Sequence, residues 1–431
     1  MAQTQNHDRL QYENTIYSRV TWRIMPILFL SYVVSYLDRV NVGFAKLQMM
    51  TDLGLSDTVY GLGAGIFFIG YFLFEVPSNL ILHKVGARRW IARIMVSWGL
   101  LSGAMVLIHS APLFYLMRFL LGLAEAGFFP GVILYMTYWY PSARRGRMYA
   151  LLMSAVAVSG VIGGPLSGWI MQSMAGVRGL AGWQWMFLLE ALPAVFLGFI
   201  ILTGLPDRIA DADWLSDAEK ATLSERLLQE DQIKQNRQPM QVVKNLRLWH
   251  LTCIYFTLVM GLYGVSFWMP AMIKASGVTN TLSIGMLTAL PYFGATLGML
   301  VTGRSADRHR ERRWHLAVPM LLGGAGLMVS TLIHQNIPMA MLALTVATTG
   351  ILSGVSAFWS LPTAMLGGSA AALGIALINS LGNLAGFISP FLIGWMKDLT
   401  HSTDAGMVML TGSLLAGAVL TLMVPREMAG R

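Results

Sequence analysis

Twelve apolar runs, each about 20 residues or longer as a helix needs to cross a bilayer, make up most of this chain. They fall at 22–44, 58–82, 90–109, 112–139, 147–174, 184–204, 249–273, 282–302, 315–334, 337–360, 370–396 and 405–424. In lipid only helices and closed barrels satisfy every backbone polar group, and these runs are too long for barrel strands. The expected fold class is therefore all-α integral membrane. Of the 431 residues 55% are hydrophobic and 12% charged, about half the charged share of a soluble domain, roughly 25%.

Short loops between the runs give an orientation. Lys84, Arg88 and Arg89 follow the second run, Arg144, Arg145 and Arg147 the fourth, and Arg304, Arg308, Arg310, Arg312 and Arg313 the eighth. The loops after the third and ninth runs hold no Lys or Arg. By the positive-inside rule the basic loops and both termini are expected in the cytoplasm. The net charge of +9 then reflects topology and does not imply nucleic-acid binding. The first 20 residues are polar and hold no short apolar segment ending at a small-residue cleavage site, so the first run is expected to anchor itself. The single cysteine, Cys253, cannot form an internal disulfide and reads as a small buried core residue.

The runs divide into two related sets. Arg88-Arg89-Trp90 recurs as Arg312-Arg313-Trp314, and Gly168-Trp169 recurs as Gly394-Trp395 at nearly the same offset. Such matched recurrence predicts two pseudo-symmetric six-helix bundles, 22–204 and 249–424. A polar segment 1–21 precedes them, a linker 205–248 separates them, and a tail 425–431 follows. Within the linker, 214–231 has helical character, with Ser216 and Glu219 spaced as a capping box. The Gly-rich stretch 159–169, SGVIGGPLSGW, is expected where helices pack closely.

Charges inside apolar runs are costly and mark function by default. Asp38 and Arg39 lie in the first run, Arg118 and Glu125 in the fourth. Two acids balance two bases. Arg118 and Glu125, seven apart, share a helix face; Asp38 and Arg39, adjacent, diverge by about 100°. Tyr36 and Arg39 also share a face. An arginine holds a carboxylate through a planar donor fork, whereas a buried carboxylic acid can carry a proton. The quartet implies proton-linked passage of an organic anion, with static helix bracing as the alternative. Glu75, within YFLFEVPSN, reads first as a helix-end residue bonded to nearby backbone, and second as a further acid on the pathway. In the second half the candidates are Ser356, Trp359, Asn379 and Asn383. Trp359 reads first as packing. The two asparagines, four apart, serve equally well as helix–helix glue or as ligand contacts.

No GxxxxGK[ST] loop, clustered His/Cys spacing or convergent Ser/His/Asp set occurs. An ATP-driven pump and an enzyme are not expected, and no cofactor is expected beyond the proton gradient.

At these residues the chain resembles the major facilitator superfamily and, within it, the anion:cation symporter family of tartrate, phthalate, hydroxyphenylacetate and sugar-acid permeases. The resemblance rests on SYLDRVNVGFA (35–45), YFLFEVPSNLIL (71–82), RFLLGLAEAGFFPG (118–131), DWLSDAEK (213–220) and GRSADRHRERR (303–313). It implies alternating access between the two bundles. Asp38 and Glu125 would be the protonatable acids, and Arg39 and Arg118 would bind the substrate carboxylate. Tyr36, Tyr71, Ser356, Trp359 and Asn379 would complete the substrate site. Arg88, Arg89, Asp307 and Arg308 would form a cytoplasmic gating loop. The first copy of that loop, HKVGARR, lacks the usual Asp and has His83 or Lys84 in its place. A position that carries glutamine in sugar-acid members falls on Val156, which favours tartrate-like or aromatic carboxylates. The expected partners are a small organic anion, protons and the lipid bilayer, with no nucleic acid. The expected unit is a monomer in a bacterial inner membrane. Same-fold alternatives are an anion exchanger and a drug or metabolite exporter.

Overall fold

A helix in lipid satisfies its own backbone, so each apolar run becomes one crossing element. The computed structural model describes residues 2–234, 245–309, 311–333, 336–365 and 369–425. Its secondary structure is helical, with twelve spans long and apolar enough to cross a membrane. The first six are Gln11–Leu53, Asp57–Leu82, Ala87–Leu107, Ala111–Thr137, Arg144–Ser173 and Gly182–Gly204. The second six are Leu246–Ala275, Thr281–Ala306, Arg313–Leu332, Ile337–Pro362, Gly374–Thr400 and Asp404–Leu422. We number them spans 1 to 12. They match the twelve runs read from the sequence to within a few residues at most ends.

The packing repeats with the same offset. Span 2 packs on 4, 3 on 6 and 1 on 5 in the first set; span 8 packs on 10, 9 on 12 and 7 on 11 in the second. The principal contacts between the sets are span 2 against 11 and span 5 against 8. Small residues make both approaches possible. A Cβ on Gly285 would run into the Gly164 carbonyl, and one on Gly61 into the Pro390 carbonyl. The Gly-rich stretch 159–169 thus lies where close packing was expected.

Two sequence expectations change, those for Cys253 and Glu75. The polar segment before the first run is helical: one helix runs from Ala2 to Val40. It is held by ion pairs from Glu13 to Arg226 and from Arg19 to Glu219, both 2.9 Å, on to the linker helix Asp217–Lys234. That helix carries the expected capping box, with Ser216 N donating to Glu219 Oε2 at 2.9 Å and Glu219 N donating to Ser216 Oγ at 3.4 Å. Cys253 is exposed rather than buried, because the outer face of a membrane helix is itself apolar, so an apolar neighbourhood does not identify the core. Glu75, 2% exposed, is not held by nearby backbone: its carboxylate accepts from Asn379 Nδ2 at 3.1 Å and Ser380 Oγ at 2.6 Å on span 11.

Four spans are interrupted. Span 1 breaks at Asn41 between helices Ala2–Val40 and Val42–Leu53. Span 4 breaks after Glu125, where Gly127 takes φ +86°, a left-handed conformation that favours glycine. Span 10 breaks at Trp359, between Ile337–Phe358 and Ser360–Met365. Pro362 lies four residues after Phe358 and would clash with its carbonyl in a continuous helix. Span 11 breaks at Leu384. Each interruption adjoins a charged or polar residue singled out from the sequence, or a neighbour of one.

Candidate functional site

A cavity lies between the two sets of spans. Its lining includes Tyr36, Arg39 and Tyr71 from spans 1 and 2, and Ser356, Trp359, Asn379 and Asn383 from spans 10 and 11. Six of the seven residues expected to bind substrate therefore meet around one space. Arg39 is the only charged residue among its described lining. Aromatic rings form the largest group in the rest: Tyr32, Tyr255, Tyr263 and Phe129 join Tyr36, Tyr71 and Trp359. Val156 also lines it and gives that wall an apolar surface.

Arg39 is the hub. Its guanidinium donates through Nη2 to Glu125 Oε1 and through Nη1 to Tyr263 Oη at 2.9 Å. Glu125 Oε1 also accepts from Ser35 Oγ at 2.8 Å. The Arg39 guanidinium carbon stands 5.4 Å from the ring centroids of both Phe67 and Tyr71. The group is thus held by one carboxylate, one phenol and two ring faces, and it still borders the cavity. Tyr36 Oη lies 3.2 Å from Ser266 Oγ, which also accepts from Tyr292 Oη at 3.1 Å, tying span 1 to spans 7 and 8.

The adjacent pair diverges as expected: Arg39 faces the cavity and Asp38 faces away from it. Asp38 Oδ1 accepts from the Ser102 hydroxyl and from Asn41 Nδ2 at 3.2 Å, while Oδ2 has no hydrogen-bond partner among the described residues. Arg118 is fully buried and does not line the cavity. It donates through Nε to the Gly63 carbonyl at 3.4 Å and through Nη2 to the Ala64 carbonyl at 3.2 Å. Its guanidinium carbon is 5.0 Å from the Phe67 ring centroid. Helical spacing places a residue on a face, but it does not say which neighbour that face meets. Span 4 directs Arg118 to span 2 backbone and Glu125 to Arg39.

Of the residues expected to form a gating loop, Arg88 bonds Asp207, with its backbone N donating to Oδ1 at 2.8 Å and Nε 3.5 Å from Oδ2. Arg89 and Arg308 are exposed. The side chain of Asp307 lies outside the described residues.

Several site groups were absent from the sequence expectations. Tyr255 and Tyr263, eight apart in span 7, share a helical face, and that spacing is the signal that finds them. Lys46 is buried and makes a 2.5 Å ion pair with Asp57, its Nζ 3.2 Å from the Trp268 ring centroid. Lys397 reaches the same carboxylate at 3.2 Å, and Asp398 accepts from the backbone N–H groups of Asp57 and Thr58. These contacts join spans 1, 2, 7 and 11 at one end of the cavity; Glu75 with Asn379 and Ser380 joins spans 2 and 11 farther along. Glu190, 2% exposed in span 6, accepts from Ser167 Oγ at 2.6 Å and Asn41 Nδ2 at 3.1 Å. It is a charge in an apolar run, the criterion that singles out Glu125.

Comparison with known proteins supports the same reading. The family model described as Major Facilitator Superfamily matches residues 28–390. A Pseudomonas putida protein named as a putative metabolite transport protein, NicT, is 48% identical over 96% of each chain. A putative tartrate transporter of Agrobacterium vitis is 46% identical, covering 96% of this chain and 92% of the relative. A quinolone resistance transporter of Acinetobacter baumannii is 42% identical over 96% of each. Among solved structures, the xylose transporter XylE from E. coli, in a partially occluded inward open conformation, superposes with a TM-score of 0.76. That match is 14% identical, covers 94% of this chain and 98% of that one, and shows the fold alone. With twelve apolar spans, a family match along most of the membrane portion and bacterial relatives along nearly its whole length, the chain belongs to the major facilitator superfamily, as a multi-pass inner-membrane transporter of a small molecule.

Proposed function

We propose that this transporter carries a small organic anion inward with protons, by alternating access. The observation that carries the reading is the Arg39–Glu125 ion pair at the edge of a cavity whose described lining holds no other charged residue. A guanidinium there suits a carboxylate, which it can hold through a bidentate fork. While Glu125 is ionised it occupies that fork. A proton on Glu125 neutralises the competitor and leaves Arg39 for the substrate carboxylate, with Tyr263, Tyr36 and Asn379 orienting it. Loss of the proton restores the internal pair and expels the anion. An anion carried without a proton would leave uncompensated charge in low dielectric. Asp38 is a second protonatable acid. Arg118, bonded to span 2 backbone, balances this charge from behind the cavity rather than clamping the ligand. The ring-rich lining and apolar Val156 favour a planar aromatic acid, and the tartrate name on relatives favours a hydroxylated dicarboxylate. Both are carboxylates. The cytoplasmic placement of the termini, the monomeric state and the gating role of the basic loops belong to the same reading.

The test is a thermal-shift panel on the purified protein. It would contain tartrate, sugar acids, phthalate, hydroxyphenylacetate and other aromatic acids, with neutral amides and organic cations as controls. A ligand selective for the native state raises apparent stability by mass action. The expected result is stabilisation by carboxylates only, abolished in Arg39→Ala. Stabilisation by cations or neutral amides, or an Arg39→Ala protein that still responds to carboxylates, would move the assignment to the export reading that the quinolone resistance relative favours.

A further inference from the structure

Behind the cavity, on the side of span 1 opposite Arg39, two carboxylates share one amide. Asn41 Nδ2 donates to Asp38 Oδ1 at 3.2 Å and to Glu190 Oε2 at 3.1 Å. Ser102 and Ser167 supply one further hydroxyl to each acid. Asp38, Asn41 and Glu190 are 1%, 1% and 2% exposed. Among the described residues neither acid has a salt-bridge partner. Asp38 and Glu190 lie within electrostatic reach of each other, and Asp38 is also within reach of Glu125 and Arg118 on span 4.

Two like charges in a low-dielectric site without a bonded cation cannot both persist, as paired carboxylates in enzymes illustrate. The hydrogen bonding shows where a proton fits. Both Glu190 oxygens already accept a bond. Asp38 Oδ2 and Asn41 Oδ1, however, are buried acceptors with no donor among the described residues. Buried polar groups left without partners are uncommon and costly. A hydrogen on Asp38 Oδ2 removes one like charge and turns one orphaned acceptor into a donor.

We propose that Asp38, Asn41 and Glu190 form a single proton-binding site, in which Glu190 sets the proton affinity of Asp38 through the bridging amide. Glu190 thereby acts as a positioning residue for the proton-linked cycle. Its place in that cycle rests on the symport reading, whereas the shared proton itself does not. The break of span 1 at Asn41 puts the bridge at the point where the helix is interrupted.

The test is an infrared pH titration of the purified protein, following the carboxylic-acid carbonyl band in wild type, Asp38→Asn, Glu190→Gln and Asn41→Ala. A titrating band lost in Asp38→Asn is expected. Glu190→Gln removes a like charge while keeping the shape that meets Ser167, so the band should titrate at lower pH, by about one unit or more. Asn41→Ala removes the donor that favours both anions, so its midpoint should move to higher pH. These opposite displacements are not expected of residues that only pack. Thermal melts identify any variant that fails to fold, and either of the last two suffices. A folded variant whose titration superposes on wild type overturns the proposal. Wild-type uptake in vesicles that ignores an imposed pH gradient would overturn the symport reading while leaving the titration result standing.

Discussion

Asn379 Nδ2 lies 3.1 Å from Glu75 Oε1, and this bond links a residue lining the cavity to the seam between the two sets of spans. Glu75 stands about 27 Å of helix beyond Asp57, which sits at the other closure of that seam. A ligand that draws on the Asn379 amide competes with the seam for the same donor. Hydrogen bonds to a charged group are worth about 1.5–3 kcal/mol each. Glu75→Ala loses the bonds from Asn379 and Ser380 and should shift the conformational balance toward the state open at this end by tenfold or more. Spin-label distances between spans 2 and 11 at this end should lengthen in the variant. An unchanged distance distribution would make Glu75 a packing residue.

Tyr263 is the neutral half of the Arg39 grip. Tyr263→Phe keeps the ring stacked on Phe267 and in tilted contact with Phe68 and removes only the acceptor that holds Arg39 Nη1. The expected consequence is roughly tenfold weaker carboxylate binding, the effect of a bond to charge worth about 1.5 kcal/mol or slightly less. Arg39→Lys should cost more, because an ammonium cannot reproduce the fork that meets Glu125 and Tyr263 together. Titration calorimetry with an active carboxylate measures both. A Tyr263→Phe protein that binds as wild type would show that Glu125 alone sets the Arg39 geometry.

Glu125→Gln separates binding from coupling. The amide keeps an acceptor for Ser35 and Arg39 but no longer gains or loses a proton. Vesicles carrying this variant should exchange labelled substrate at a rate within about tenfold of wild type while losing accumulation driven by a pH gradient, consistent with a role in proton transfer rather than in holding the anion. Accumulation that still follows the gradient would remove Glu125 from the coupling scheme.

The charges legible in the sequence are those that break an apolar run. Asp38, Arg39, Arg118 and Glu125 stand out because burial of charge is expensive wherever it occurs. The resemblance of the surrounding motifs then points to Ser356, Trp359 and Asn379, which the fold brings to Arg39 from the opposite half of the chain. Partner identity is less legible. Arg118 and Arg39 are the same residue type in comparable runs, yet one meets carbonyls of Gly63 and Ala64 and the other opens on the cavity. That difference depends on how span 4 faces span 2, which periodicity does not encode. Glu75 shows the same limit: its bonds go to span 11, in the other set. Cys253 shows the converse, since apolar patterning reports lipid-facing and core-facing positions alike.

Gly285 and Gly164 set how closely spans 5 and 8 approach, because each lies against the other's backbone. A side chain at either position must push the spans apart. Gly285→Leu should therefore disfavour the state closed at this seam and cut transport by about fivefold or more, since overpacking typically costs about 1–3 kcal/mol. Gly412, with open space around its Cβ position, is the control: Gly412→Leu should transport normally. Uptake assays together with spin-label distances across spans 5 and 8 distinguish a separated seam from a misfolded protein.

The linker helix should undock in acid, and later than an ordinary glutamate would dictate. Glu219 accepts from the Ser216 backbone N–H and hydroxyl and pairs with Arg19. The Ser216 backbone bond, followed by its hydroxyl and Arg19, holds the Glu219 carboxyl below the usual carboxylate range. A carboxyl depressed in the folded state contributes stability above its unfolded value, about 4.3, which is lost as pH falls through the folded value. The Arg19 side chain is 47% exposed, so its pair contributes at most about 1 kcal/mol. The cap contributes about 0.5–2 kcal/mol. Ser216→Ala should accordingly loosen the linker more than Arg19→Ala at pH 7. Spin labels at Gln11 and Ala221 report the docking distance. It should hold from pH 8 to about 5 and broaden only below the unfolded glutamate value, near 4.3. Broadening already at pH 6 would show that another group controls the contact.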